Sequence, residues 1–199
     1  MERQRWAGYV WIIGGAAWIT NGLLGLSAAD GSTGFYVTEA VWIPVHLLVG
    51  AGLVALRRSG TARVRAARIG LGIAIAGRLL FLVGELAAIA VADDDIVLFP
   101  IAAVSTAVGM LIAGAAISRR RVWHGWARFT PLAMGAYPFV AMFPLLAITG
   151  ERPNLGVAGW GLTFIAIGAA VLQQEARVTV ADGLSPGPAT TSASVLPSR

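Results

Sequence analysis

Arg78 and Glu85 stand seven residues apart inside GRLLFLVGELAAIA (77–90), a run that is otherwise without charge. Glu39 and His46 repeat that interval in the stretch before it. Seven residues is nearly two helical turns, so each pair shares one face of its helix. Trp42 falls on the stripe of Glu39 and His46, and Phe81 and Leu82 on that of Arg78 and Glu85. Placing a guanidinium or carboxylate near the centre of an apolar helix costs roughly 2.5–3.5 kcal/mol even on lenient insertion scales. Both groups should therefore point inward and find partners there. As packing glue they would bind carbonyls, Ser105 or Thr106, but such contacts contribute only about 0.6–2 kcal/mol. That does not fully offset the insertion cost, which favours a functional site over glue.

The chemistry open to such a site is narrow. A carboxyl group withdrawn from water can hold its proton and serve as a general acid. Glu85 is the candidate acid, with His46 and Asn21 to orient or relay protons and Arg78 to fix a partner or tune the acidity. Aromatic faces stabilise cations by about 0.5–2 kcal/mol each where water is excluded. Trp42, Phe81, Tyr137 and Trp160 are the candidate cation-stabilising, substrate-binding walls. Other chemistries lack their residues. With no cysteine there is neither disulfide nor thiolate metal site. The two histidines, His46 and His124, are assigned to opposite sides of the membrane and cannot share a metal or haem. Asp93-Asp94-Asp95 lacks the spacing of a magnesium-diphosphate motif, and no Gly-x-Ser-x-Gly elbow is present. No cofactor and no metal are expected.

These residues need elements to position them, and composition says which. The chain of 199 residues is 57% hydrophobic and only 13% charged, far from the balance of a water-soluble domain. A bilayer core about 30 Å thick takes roughly 20 apolar residues of helix to cross. Six segments qualify: 6–28, 40–56, 67–91, 96–118, 125–149 and 155–173. The expected fold is all-α, a polytopic bundle of six transmembrane helices over residues 1–175. A Pro-, Ser- and Thr-rich stretch follows, which is expected to form a disordered cytoplasmic tail over 176–199. Arginine supplies all of the positive charge and clusters at 3–5, 57–68 and 119–128, whereas the intervening loops hold Asp30, Glu39 and Asp93–Asp95. Excess arginine marks cytoplasmic loops, so both termini are expected in the cytoplasm of a cell-membrane protein. The same logic sets nucleic acid aside as a partner. At about 1.5 Å per residue, His46 and Glu85 then lie roughly 9–10 Å below the outer surface, with Asn21 near them. Arg78 lies deeper. GLGIAIAG (70–77) is read as close helix packing.

The size, the compact multi-span layout, the acidic residue within an aromatic-lined bundle and the tail resemble the small membrane-bound terpene cyclases of bacterial meroterpenoid and indole-terpenoid pathways. VWHGWARFTPLAMGAYPFVAMFPLL (122–146) is similar to a run common in actinobacterial membrane proteins. The resemblance lies in the architecture of the six spans, not in a catalytic motif matched residue by residue. It implies protonation of a terminal alkene or epoxide on a lipid-soluble, prenylated substrate, without metal or diphosphate loss. Two other roles fit the same residues: a small exporter of a hydrophobic compound using Arg78 and Glu85, and a non-catalytic scaffold in which the polar layer only docks helices.

Overall fold

Ser32 starts the helix that carries His46: its hydroxyl accepts the Phe35 N–H at 3.1 Å, the bond of a helix N-cap. The computed structural model describes residues 5–93, 95–149 and 154–183, and among these only helices and turns occur. Helix α1 covers Arg5–Leu24 and α2 Thr33–Arg58, followed by α3 over Arg65–Val91 and α4 over Leu98–Arg119. Helices α5 (Thr130–Tyr137) and α6 (Phe143–Thr149) are joined by a π-helical turn, Pro138–Met142, and together make one span. The last helix, α7, covers Asn154–Gly183. Six segments are long and apolar enough to cross a membrane.

Two boundaries differ from the sequence expectation. The cap at Ser32 places the start of α2 seven residues before position 40, which puts Thr38 and Glu39 inside the helix and buries both. Glu39 is thus a bundle residue, not a loop residue. Helix α7 continues to Gly183, so the first eight residues assigned to the tail are helical; 184–199 lie outside the described residues.

Each span packs on its neighbour in the chain, and α7 closes the ring by packing on both α5 and α1. The two closest seams are built on glycine. On α1 and α7, a Cβ at Gly15 would lie 2.7 Å from the Gly161 carbonyl oxygen, and one at Gly161 would lie 2.6 Å from that of Gly15. Between α3 and α4, a Cβ at Gly70 would lie 2.5 Å from the Gly109 carbonyl oxygen, and one at Gly77 2.7 Å from the Thr106 nitrogen. Helix axes can approach this closely only where side chains are absent, the usual device for joining helices that gain nothing from a hydrophobic drive. Polarity runs opposite to that of a water-soluble bundle. Ile13, Leu47, Leu79, Leu86 and Leu162 face outward and are exposed, whereas Asn21, His46, Arg78, Glu85 and Thr106 are buried.

Candidate functional site

Glu85, Phe81 and Arg78 follow one another down a single face of α3, at intervals of four and three residues. Across from them, Pro44 sits inside α2 two residues before His46. Without an N–H, Pro44 cannot close the helical bond to the carbonyl four residues earlier.

The two helices meet through a chain of three ionisable groups. His46 Nε2 is 3.0 Å from Glu85 Oε1, and Arg78 Nη1 is 3.4 Å from His46 Nδ1. The direction of these bonds follows from what each group can do. A guanidinium only donates, so Nδ1 must accept. A neutral imidazole with a free Nδ1 carries its proton on Nε2 and donates it to Glu85 Oε1. Oε1 is therefore an acceptor, and Oε2 is the oxygen that can carry a proton of its own.

Arg78 is surrounded by rings. Its guanidinium carbon lies 4.8 Å from the centre of Trp18, 5.2 Å from Phe81, 4.8 Å from Trp160 and 5.1 Å from Phe164. Its Nε and Nη2 have no hydrogen-bond partner among the described residues. The π faces take that place; desolvated cation–π contacts reach about 2 kcal/mol each. The cage is itself anchored. Trp18 donates its indole N–H to the Val157 carbonyl at 2.6 Å, and Trp160 to that of Met134 at 2.9 Å. His46 completes the layer by stacking on Phe81 with ring centres 4.6 Å apart and planes 15° from parallel.

Above this layer lies a cavity of about 690 Å³. Glu85, His46, Asn21, Trp42, Phe81 and Trp160 all line it, and its mouth is formed by Asp30, Asp93 and Asp95, which are exposed. Asn21 donates Nδ2–H to the Thr38 carbonyl at 2.9 Å, which fixes the amide orientation; its Oδ1 has no hydrogen-bond partner among the described residues. The site places together three of the four candidate acid–base residues on the cavity wall. Arg78, the fourth, sits behind the floor and does not line the cavity. Of the four candidate walls, Tyr137 is misplaced by the sequence reading. It does not line the cavity; its hydroxyl points to α7 at Gly159, where the absent side chain leaves room. Phe143 N–H reaches back five residues to the Pro138 carbonyl, so the face continues into Met142, Phe143 and Leu146 instead.

Phe35, Thr38, Glu39 and Phe99 also line the cavity and were not among the sequence candidates. For α2 the signal was present. Ser32 is a cap, and Phe35, Thr38, Glu39, Trp42 and His46 then form an unbroken stripe at helical spacing. Comparison with protein families, curated proteins and solved structures returned no match.

Proposed function

We propose that the chain is a multi-pass membrane enzyme acting on a lipid-soluble, isoprenoid-type substrate. In its finer form the reading is proton-initiated cyclisation. The observation that carries it is the Glu85–His46 pair, hydrogen-bonded at 3.0 Å on the wall of an aromatic cavity of about 690 Å³. Pockets of roughly 300–1,000 Å³ take drug-sized organic molecules. The terminal alkene or epoxide of the substrate would sit against Glu85. Oε2–H gives its proton to that group, and one C–H or O–H bond forms as the π bond or C–O bond breaks. The cation so generated adds to internal double bonds of the same substrate. A carbon-bound proton finally returns to Glu85, so product and substrate are isomers and no oxidant enters. His46 holds Oε1, which directs the reacting proton to Oε2, and Arg78 holds His46 in the tautomer that does so. Phe81 and Trp160 already face Arg78, which leaves Trp42 and Phe99 as the rings best placed to face a substrate cation.

The test is conversion of prenylated alkenes and epoxides by the purified chain in detergent, followed by mass spectrometry for an isomer with altered retention. Glu85→Gln keeps the shape and the hydrogen bond from His46 but removes the acid. Acid–base catalysis is worth about 10²–10⁴-fold, and that is the expected loss. Full activity in the Gln variant would remove Glu85 from the chemistry. The cavity opens at one end and is sealed by the Arg78 layer at the other, a form that also suits one state of an exporter. Substrate movement in sealed vesicles without isomer formation would favour that reading.

A further inference from the structure

At the other end of the bundle, Arg57, Arg63, Arg65 and Arg68 surround a groove of about 740 Å³. Its remaining walls are Ile69, Gly72, Ile73 and Ala76, all on α3. The arginines come from three consecutive elements: the last turn of α2, the tight turn Gly60–Arg63, and the first turn of α3. None of the four forms a salt bridge among the described residues. Two of them are placed against the helix field. The N-terminus of α3 carries partial positive charge, yet its first turn has Arg65 and Arg68, no acidic residue, and no side-chain cap on its free N–H groups. Four unpaired guanidiniums and an uncapped helix start converge on one concavity, and each is relieved by an anion.

The shape of the groove says which anion. From Arg65 to Ala76 is eleven residues of α3, or about 16 Å. Half of a bilayer core is about 15 Å. Ile69, Ile73 and Ala76 recur at intervals of four and three residues, so the apolar part is a strip along one face. Arg57 reaches that strip at Gly72, where a Cβ would lie in ordinary contact, 4.0 Å from its guanidinium carbon. A charged head and an apolar strip one leaflet long suit a phosphate joined to an acyl chain. We propose that this groove binds one anionic phospholipid per chain, with its phosphate held by the arginine forks and an acyl chain laid along Ile69, Ile73 and Ala76. Guanidiniums match phosphate oxygens in bidentate pairs. The site is independent of the Glu85 chemistry and rests only on the six segments spanning a bilayer.

The experiment is lipid counting by native mass spectrometry on the full chain in neutral detergent. Phosphatidylglycerol and phosphatidylcholine are titrated in competition. The expected result is one phosphatidylglycerol retained at least about tenfold over phosphatidylcholine, given that basic residues near anionic lipid contribute about 1 kcal/mol each. The triple change Arg57→Gln, Arg63→Gln and Arg68→Gln should abolish that preference. A matched loss of three charges, Arg119→Gln, Arg120→Gln and Arg121→Gln, should leave it. Gly72→Leu removes no charge but fills the strip, so it should weaken the lipid several-fold. Equal retention of both lipids would overturn the proposal, and so would equal effects of the two triple variants. Millimolar inorganic phosphate displacing the lipid equally in wild type and Gly72→Leu would overturn it as well, because the arginines would then bind free phosphate alone.

Discussion

Arg78 carries a charge that touches no carboxylate directly, and its environment explains how that is sustained. Four rings surround it, and its one hydrogen bond goes to an imidazole that passes the polarity on to Glu85. A buried charge without compensation would cost several kcal/mol. Here the four π faces and the accepting imidazole nitrogen supply the compensation. Replacing Arg78 with Lys keeps the charge but not the flat, weakly hydrated face that lies against aromatic rings. The expected loss is about 1–3 kcal/mol of stability, read as a lower midpoint on denaturant titration in mixed micelles. An unchanged midpoint would mean that the cage does not hold the guanidinium. The spacing of Arg78 and Glu85 made their shared face legible, and depth along the two helices put His46 level with Glu85. That Phe81 would intervene between Arg78 and the cavity was not legible. Spacing gives a level and a direction on one helix, whereas a neighbour's ring depends on how far apart the helices stand.

At the scale of elements, the seams decide that distance. Where α1 meets α7, Gly15 faces Gly161 backbone to backbone, with no room for a methyl group. Gly50 on α2 has nothing within 4 Å of where its Cβ would stand. The two positions therefore answer oppositely. Gly15→Leu forces the helices apart and should destabilise by about 1–3 kcal/mol or more. Gly50→Ala adds helix propensity at no steric cost and should be neutral or stabilising by up to about 1 kcal/mol. Unfolding midpoints measured side by side test the contrast; equal shifts would deny the seam. The glycine-rich sequence of α3 announced such packing before any coordinates. The seam of α1 did not stand out, because Gly8, Gly15 and Gly22 are spread over two turns each. Helix ends were legible to within a few residues where charge marked them. The start of α2 is marked by the Ser32 cap and not by the first apolar run. Tyr137 was named for its aromatic type and not from a helix face, and the chain adds a residue in the π turn that starts at Pro138.

The whole molecule is a closed ring of helices with apolar side chains outward, one acidic-mouthed cavity and, opposite, an arginine-lined end. The polar interior follows from the outward face: with an apolar surface on every helix, ionisable groups can be satisfied only by one another. Composition alone reached the class of fold, because six apolar runs of spanning length have few other arrangements. It could not show that the polar layer floors a cavity instead of filling one, since volume is what remains after every side chain is placed. The arginine distribution makes one more prediction at this scale, that the cavity opens away from the cytoplasm. The chain has no cysteine, so single thiols can report its sides without background. Ser27→Cys sits at the cavity end and Gly60→Cys at the arginine end, and both positions are exposed. A membrane-impermeant maleimide applied to intact cells should label Ser27→Cys, and label Gly60→Cys only after the membrane is opened. The reverse pattern would turn the cavity toward the cytoplasm and place the phospholipid groove in the outer leaflet. Substrate would then reach Glu85 from inside the cell, and the lipid partner would have to be one found on the outer face.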